Sequence, residues 1–255
     1  MNNELLKNSF YSGLSGLELP VPKYLFPPPY QDASRLTYYS SFFNSIEINS
    51  SFYKVPLAKT ISNWNSSVNE DFRFTFKLWK QVTHNKGLSF ERSDVELFLK
   101  SISHAGQKRG CILIQFPPSL SIDHKLQLEN LLGVITEIDV DHLWNIALEF
   151  RHKSWYHESV FELVDLHNST IVIQDIPKSA TPLLDLQSEI IYVRFHGPTG
   201  NYRGGYTDEV LSEYAFYILD WVDEGKKVFV YFNNTMGDAF KNLQKLKSFV
   251  FDNLG

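Results

Sequence analysis

Charged and amide side chains follow apolar runs at many places along this 255-residue chain. The run IALEF continues directly into RHKSW, so Glu149 and Arg151 stand where an apolar strand would end. An ionised group that leaves water destabilises the fold unless a partner compensates it, so this placement needs a structural or chemical reason. Other apolar runs end in the same way. The candidates at or just after these ends are Glu47, Asn49, Lys77, His84, Gln115, Glu149, Arg151, Asp175, Arg194, His196 and Asn233.

These candidates combine groups that bind anions with groups that transfer protons. Side chains two residues apart on a strand share a face, so Glu149 with Arg151, and Arg194 with His196, are expected to point together. The predicted catalytic residues are Glu149, Glu47, Asp175 and His196. The predicted anion-binding side chains are Lys77, His84, Arg151, Arg194, Asn49, Gln115 and Asn233. An ion-pair network that only fills the protein core is the structural alternative.

The segment HGPTGNYRGGY, residues 196–206, is a second candidate for anion binding. It follows an apolar run and is too long for a tight turn. Backbone amides in such loops bind phosphate, so Gly204 and Gly205 are predicted to help hold an anion. Gly237 precedes the last predicted helix, whose N-terminus would add positive potential. A surface loop without a ligand is the alternative interpretation.

Several common sites are missing from the sequence. It contains no Walker motif, no dinucleotide-binding fingerprint in a strand-turn-helix context and no HExxH zinc motif. These absences argue against nucleoside triphosphate, NAD and zinc-hydrolase functions, and no cofactor is identified. A divalent magnesium or manganese site built from Glu47, Glu149 and Asp175 is the open alternative, because these ions prefer carboxylate ligands.

The overall charge limits the class of partner. A formal net charge of -5 argues against a protein that coats nucleic acid or an acidic membrane, whereas a local basic pocket is compatible with it. The expected partner is therefore a small anion, with nucleic acid as the alternative. The aromatic residues available for base stacking are Trp79, Trp155, Tyr156, Tyr202 and Tyr206.

The location expected from the sequence is the cytoplasm. No stretch reaches the length of a membrane span, and the opening MNNELLKNSF lacks the pattern of a signal peptide. Cys111 is the single cysteine and lies within the apolar run CILIQF, which predicts an inert thiol in the core.

Eight apolar runs must position these residues. They are FYSGL, NSIEIN, FRFTFKLW, GCILIQF, NIALEF, STIVIQ, IIYVRFH and KVFVYFN. Their average spacing is close to the length of a βαβ unit, and their near-continuous apolarity is typical of parallel strands covered on both faces. Helical patterns lie between them, as in Val95, Phe98 and Ile102, where Ser93 and Glu96 predict a capping box. Only the connection near residues 183–184 looks short.

The alternation predicts a single α/β domain over residues 1–255, a (β/α)8 or TIM barrel with parallel strands and outer helices. A doubly wound open sheet has the same alternation and is the alternative fold. In both folds ligands bind at the carboxyl ends of the strands. The strand-end candidates are therefore expected to share one site.

Several blocks of sequence occur together in a recognisable order. They are EINSSFYKVP at 47–56, FTFK at 74–77, TH at 83–84, QFPPS at 115–119, EFRHKSW at 149–155, YVRFHGP at 192–198 and YFNN at 231–234. This set resembles the YecE-like domain-of-unknown-function family. The resemblance implies a TIM barrel but supplies no substrate, cofactor or reaction. One departure is Leu17, which stands where the family's Gly-x-Ser-Gly strand continues with an aromatic residue, and this is expected to change one wall of the pocket.

The leading hypothesis is an enzyme that acts on an anionic small molecule, phosphorylated or acidic, at the strand ends. The basic residues would bind and polarise the anion, and Glu149 or Glu47 would transfer a proton as general acid or base. The alternatives are a metal-assisted phosphodiesterase barrel, a nucleic-acid-binding barrel and a non-catalytic binding barrel. A glycosidase fits poorly, because Gln115 and Arg194 end strands where facing carboxyl groups would be needed.

Overall fold

Every apolar run identified in the sequence forms a strand in the computed structural model, which describes residues 3–182 and 187–253. The strands are β1 Phe10–Leu14, β2 Ser45–Ile48, β3 Arg73–Lys77, β4 Arg109–Gln115, β5 Asn145–Glu149, β6 Ser169–Ile171, β7 Ile173–Gln174, β8 Ile190–Phe195 and β9 Lys227–Phe232. All strand pairs run parallel. Most strand residues are buried, as expected for a sheet covered on both faces. The short connection predicted near residues 183–184 lies outside the described residues.

The strands form two parallel sheets. The four-stranded sheet has the order β1-β9-β8-β7, and the five-stranded sheet has the order β2-β3-β4-β5-β6. The sixth apolar run contributes to both sheets, because its ladder is interrupted at Val172. The Val172 amide still donates to Leu148 O at 2.9 Å, but its carbonyl accepts the Thr181 hydroxyl at 2.7 Å. The predicted parallel α/β architecture is thus confirmed, with two hydrogen-bonded sheets in place of one continuous ladder.

Side chains connect β1 to β2 where the two sheets meet a second time. The Ser12 amide donates to Asn44 Oδ1 at 2.9 Å, and Asn44 Nδ2 donates to Phe10 O at 2.8 Å. The Tyr39 hydroxyl receives the Leu14 amide at 2.7 Å and donates to Ser45 O at 3.0 Å. These side chains satisfy backbone groups that a strand ladder would otherwise pair.

Helices follow most strands and pack apolar faces against the sheets. They are α1 Asn3–Ser9, α2 Arg35–Tyr39, α3 Ala58–Ser66, α4 Lys80–Thr83, α5 Arg92–Ile102, α6 Lys125–Ile138, α7 Glu158–Leu166, α8 Asp208–Asp223 and α9 Ala239–Asp252. Val95, Phe98 and Ile102 are buried on α5, as their spacing predicts. The predicted capping box is wrong: α5 begins one residue before Ser93, and Glu96 pairs with Arg92 at 2.8 Å instead. The charged partner one turn away competes for the carboxylate that the box would use.

Cys111 lies in the interior of the protein, as its apolar surroundings in the sequence predict. Cys111 is fully buried, and burial raises the pKa of its thiol well above the ordinary value, which favours the inert, protonated form.

Within residues 3–182 and 187–253, no helix has both the length and the apolarity needed to cross a bilayer.

Gly13 on β1 provides a test of the contact between β1 and β2. A Cβ at this position would lie 2.1 Å from the carbonyl oxygen of Ser45, so the two backbones would have to separate. We expect Gly13→Ala to lower the free energy of unfolding by about 1–3 kcal/mol or more, the usual cost of overpacking. Urea unfolding measures this change.

The matched control is Gly133→Ala on α6. A Cβ there meets nothing within 4 Å, and alanine is the better helix former. We expect this control to raise the free energy of unfolding by about 0.5–1 kcal/mol. Equal effects of the two substitutions would contradict the close approach of β1 and β2.

Candidate functional site

A polar cavity of about 200 Å³ lies at the carboxyl ends of the strands. We call it the cationic cavity. Its lining residues are Asn49, Phe52, Tyr53, Lys77, Gln115, Arg151, Arg194, Tyr202 and Asn233. Three of the nine carry a positive charge, and three carry a side-chain amide. No aspartate or glutamate lines it in the part of the chain that the structure describes. Most of the predicted binding residues, which stand at or just after the ends of strands, therefore lie together in this cavity.

Arg194 is the centre of a buried ion network below this cavity. Its Nε lies 2.9 Å from Glu47 Oε2 and its Nη2 lies 2.5 Å from Glu47 Oε1, while its Nη1 lies 2.7 Å from Glu149 Oε2. The Tyr192 hydroxyl also donates to Glu47 Oε2, at 2.6 Å. Arg194 is 1% exposed and both carboxylates are 0% exposed. Each charge is therefore stabilised by its ion-pair and hydrogen-bond partners and not by water.

The network fixes the charge of both carboxylates. Burial alone would raise the pKa of Glu149, but the nearby guanidinium groups of Arg151 and Arg194 outweigh burial and hold that pKa far below its ordinary value. Burial also opposes ionisation of Glu47, and Arg194 again lowers the pKa below the ordinary value. Both groups therefore stay ionised at neutral pH and already accept hydrogen bonds from cations.

His196 is held as a neutral imidazole in the same network. Its Nε2 lies 3.1 Å from Arg151 Nη2 and 3.1 Å from Arg194 Nη1, and guanidinium groups can only donate. The proton must therefore be on Nδ1, which lies 3.2 Å from Asp175 Oδ1. Burial lowers the pKa of His196, in agreement with this neutral tautomer. Its Nε2 lone pair is occupied by two donors.

Asp175 organises the loop that follows β8. Its Oδ1 accepts the His196 amide at 2.8 Å, and its Oδ2 accepts the Tyr206 hydroxyl. That hydroxyl also accepts the Gly197 amide at 2.6 Å. Asp175 thus orients His196 and both ends of the segment 197–206, and it does not line the cationic cavity.

Tyr202, in the middle of this segment, closes one side of the cationic cavity. Its φ of 66° lies in the left-handed region, which non-glycine residues seldom adopt. Its amide donates to His196 O at 2.7 Å, and its hydroxyl lies 3.4 Å from Arg151 Nη1. The strained backbone therefore places a hydroxyl beside a cavity cation.

Lys77 differs from the other cations of the cavity in its partners. Its Nζ donates to Gln115 Oε1 at 2.7 Å and lies 4.3 Å from the centre of the Phe52 ring. None of the ion pairs in the described residues includes Lys77. Burial, with the repulsion of nearby Arg194, lowers the pKa of Lys77 to about 8. A pKa of about 8 places the change of protonation of this amine close to neutral pH.

The remaining predicted binding residues are divided. Asn49 and Asn233 line the cationic cavity, as expected. His84 lies outside the lining with its ring 4.8 Å from that of Phe52, and burial followed by the charge of Lys77 lowers its pKa to about 4. His84 is therefore a neutral neighbour of the site at physiological pH.

The structure places Gly204 and Gly205 away from the cationic cavity. The Gly204 carbonyl accepts the Asp238 amide at 3.2 Å, and a Cβ on Gly205 would lie 3.0 Å from Asp238 Oδ2. Asp238 also stands at the N-terminus of α9, where the predicted anion would bind. A carboxylate of the protein itself thus lies beside Gly205 at the start of α9, where the glycine pattern suggested a phosphate.

The three carboxylates of the alternative metal site do not converge. Glu47 and Glu149 are separated by the Arg194 side chain, and Asp175 faces Tyr206 and His196. In residues 3–182 and 187–253 there is no group of three or more His, Cys, Asp or Glu side chains arranged to hold a metal ion. The described geometry therefore does not fit the magnesium or manganese site considered from the sequence.

Comparison with known proteins agrees with the motif pattern. Residues 11–252 match the family model described as protein of unknown function DUF72. The chain belongs to the DUF72 family. The UPF0759 protein YunF of Bacillus subtilis (strain 168) is 26% identical over 255 aligned positions, which cover 86% of this chain and 87% of YunF. YecE of Escherichia coli (strain K12) is 29% identical over 118 positions, covering 46% of this chain and 42% of YecE.

Solved DUF72 structures have the same fold. A DUF72 family protein from Enterococcus faecalis V583 superposes with a TM-score of 0.78 at 20% identity, with 95% of each chain covered. A second, from Thermotoga maritima MSB8, gives a TM-score of 0.77 at 25% identity and covers 95% of this chain and 99% of that chain. The resemblance deduced from the sequence blocks is confirmed.

The departure from the DUF72 pattern at Leu17 lies outside the cationic cavity. Leu17 lines a separate cavity of about 190 Å³, together with Leu36, Ile46 and Trp64. Asn49 lines both cavities, and the expected effect of the missing aromatic residue on a wall of the polar pocket stays a prediction.

The aromatic residues suggested for base stacking mostly have structural contacts in this DUF72 protein. Trp155 is fully buried, stacks on Phe150 and donates from Nε1 to Leu120 O at 2.7 Å. Tyr156 donates to Ser179 O at 2.8 Å. Only Tyr202 of the suggested set lines the cationic cavity.

Three residues of the site were missed by the sequence analysis. Phe52 and Tyr53 line the cationic cavity, and the Tyr192 hydroxyl donates a hydrogen bond to Glu47. Tyr192 lies two residues before Arg194 on β8, so strand alternation could have identified it. Phe52 and Tyr53 follow the end of β2 in a 3-10 turn, Asn49–Phe52, where no simple periodicity marks the orientation of a side chain.

Proposed function

We propose that this protein is an enzyme that acts on a small anionic molecule in the cationic cavity. The observation that supports this proposal best is the imbalance of charge in the lining. Lys77, Arg151 and Arg194 contribute cations, and no carboxylate lines the cavity in the described residues. An entering carboxylate or phosphate would meet the Lys77 ammonium, which has no ion pair in the described residues, and the part of the Arg151 guanidinium that faces the cavity.

The size and the neutral groups of the cavity restrict the ligand further. A volume of about 200 Å³ is smaller than the pockets that bind drug-sized molecules, so a small metabolite fits best. Side-chain amides of Asn49, Gln115 and Asn233 can donate to or accept from neutral oxygens of the ligand. The site thus combines one strong anion subsite with several groups that recognise shape and hydroxyl or carbonyl oxygens.

The roles of the residues differ from those expected from the sequence. Glu47 and Glu149 are ionised and already bonded, which makes them suited to orienting guanidinium groups and unsuited to donating a proton. His196 has no free lone pair. Proton transfer is therefore assigned to Lys77, whose pKa of about 8 is close to the range where a group can act as acid or base.

We further propose that the two sheets are halves of one closed (β/α)8 barrel. Support comes from both places where the sheets meet: Val172 is the single residue between β6 and β7, and Asn44 hydrogen-bonds to the backbone of β1. Closure would direct the carboxyl ends of all strands to one mouth, where the cationic cavity lies.

Substitution of Lys77 tests the anion subsite. Lys77→Met retains most of the buried stem and removes the charge, so we expect the variant to fold while its affinity for sulfate or phosphate falls. Hydrogen bonds to charged groups contribute about 1.5–3 kcal/mol, which corresponds to about a 10-fold to 100-fold weaker affinity. Isothermal titration calorimetry of the wild type and Lys77→Met with sulfate and with phosphate measures the difference in affinity.

The matched control is Lys59→Met. Lys59 is an exposed lysine on α3, so its loss makes the same change in net charge away from the cavity. We expect unchanged anion affinity for this control. If both substitutions weaken binding equally, or if the wild-type protein binds neither anion, the proposed anion subsite is wrong.

A further inference from the structure

We infer that Lys77 is a nucleophilic amine that forms an imine with the carbonyl carbon of a small 2-oxo acid bound in the cationic cavity. This inference rests on the proposed function, because it requires the anion subsite to hold the carboxylate of that ligand. It adds the substrate class and a covalent step.

The partners of Lys77 leave its amine available for reaction. Within the described residues its polar contact is the neutral Gln115 amide oxygen at 2.7 Å, and its ion pairs are absent. An unpaired buried ammonium is destabilising, so a lysine with a purely structural role in the interior is expected to have a carboxylate partner. Here both nearby carboxylates, Glu47 and Glu149, are engaged by arginine.

The surroundings of Lys77 also favour the neutral amine. Two guanidinium groups, from Arg151 and Arg194, line the same cavity and repel an ammonium ion. The Phe52 ring, 4.3 Å away, acts in the opposite direction because its face attracts a cation. Burial and the repulsion of Arg194 outweigh the attraction of Glu149 and Glu47, and the pKa of Lys77 falls to about 8. Desolvation beside other cations is a known way to activate a lysine nucleophile.

The same guanidinium groups would orient the ligand. A carboxylate bound to Arg151 at the cavity surface would direct an adjacent carbonyl group into the space shared with Lys77, since all three residues line one cavity of about 200 Å³. The amides of Gln115 and Asn233 would be available to the carbonyl oxygen. A 2-oxo acid has the required short separation between its anion and its carbonyl carbon.

The chemical step is balanced without a further reactant. The lone pair of the neutral amine forms a C–N bond to the carbonyl carbon while the C–O π bond breaks, and the oxygen takes one proton from the nitrogen. The hydroxyl group then leaves as water with the second nitrogen proton, and the nitrogen lone pair completes the C=N bond. The products are one imine and one water molecule.

Reductive trapping tests this step. The purified protein is incubated with pyruvate and sodium cyanoborohydride, and the modified lysine is identified by peptide mass spectrometry. We expect the fastest-forming adduct at Lys77. Adducts on exposed lysines, whose ordinary pKa is about 10.4, should form more slowly. Excess sulfate should slow its formation, and acetone, which lacks the carboxylate, should react much more slowly.

Two variants separate the covalent step from anion binding. Lys77→Arg keeps a positive charge, so it should still bind sulfate while losing the specific adduct, and Lys59→Met should form the adduct as the wild type does. Adducts confined to exposed lysines, formed at equal rates in the wild type and Lys77→Arg, would overturn the inference. Sulfate binding without an adduct would overturn the imine alone, whereas absence of both would overturn the proposed function as well.

Discussion

Replacing Arg194 by methionine is expected to lower the free energy of unfolding by about 3–5 kcal/mol, the usual effect of breaking a buried ion pair. The side chain is fully buried between Glu47 and Glu149 and donates to both at 2.5–2.9 Å. Methionine fills much of the space but leaves one carboxylate without its cation and the other with Arg151 alone. Urea unfolding of the purified variants at neutral pH measures the loss.

Arg92→Met provides the matched control for this prediction. Arg92 also pairs with two glutamates, Glu96 and Glu137, but its side chain is 50% exposed. Surface pairs contribute little because water and salt screen them, so we expect almost no change. Equal destabilisation by the two substitutions would show that the Arg194 network has no special structural role. Acidic conditions should partly rescue Arg194→Met, because protonation removes the uncompensated charges.

The second large effect is expected in the pH dependence of stability. Arg194 and Arg151 hold the pKa values of Glu47 and Glu149 below the unfolded value of about 4.3. The stabilisation from a lowered carboxylate pKa is complete above the unfolded pKa and is lost as the pH falls toward the folded pKa. The free energy of unfolding should therefore decrease on acidification, by up to about 1.4 kcal/mol per pH unit for each such carboxylate.

Glu149→Gln should change this dependence in a defined way. At neutral pH the variant should lose about 1.5–3 kcal/mol, because Arg151 and Arg194 lose a charged acceptor. Below about pH 4 the difference from the wild type should shrink, since the wild-type carboxylate then loses its own advantage. Glu162→Gln on α7, an exposed position, should leave the acid dependence unchanged. An unchanged acid slope in Glu149→Gln would contradict the assigned ionisation of Glu149.

Local patterns in the sequence were sufficient to predict that several strand-end residues line one cavity. Alternation along a strand places Arg194 and His196 on one face, and the parallel α/β arrangement brings the ends of separate strands together. Lys77, Gln115 and Arg151 therefore line one cavity, as their positions at strand ends predict. The resemblance of the sequence blocks to the YecE-like family implied a TIM barrel, of which the parallel α/β architecture is confirmed.

The roles of the charged residues depend on contacts that local patterns do not encode. Glu47 and Arg194 are 147 residues apart in sequence, and their bidentate contact joins β2 of the five-stranded sheet to β8 of the four-stranded sheet. This contact makes Glu47 a structural counterion, and Lys77 is left without an ion pair in the described residues. The sequence alone favoured the carboxylates for proton transfer, because it does not show that Glu47 and Glu149 pair with arginines.

The path of the loops was also inaccessible to sequence reasoning. The glycines at 204 and 205 suit a phosphate loop in composition, but they pack against Gly237 and Asp238, where a Cβ on Gly237 would lie 2.4 Å from Gly204 O. Their small size allows two segments of backbone to touch. Glycine patterns identify close approach without identifying the group that approaches.

A crystal soaked in sodium selenate provides the most direct measurement of an anion subsite beside Lys77. We expect an anomalous selenium peak in the cationic cavity, with selenate oxygens in hydrogen-bonding distance of Lys77 Nζ and the Arg151 guanidinium, and a weaker or missing peak in Lys77→Met. A cavity that holds only water, in crystals where selenate occupies other sites on the same molecule, would contradict the proposal that this cavity binds anions.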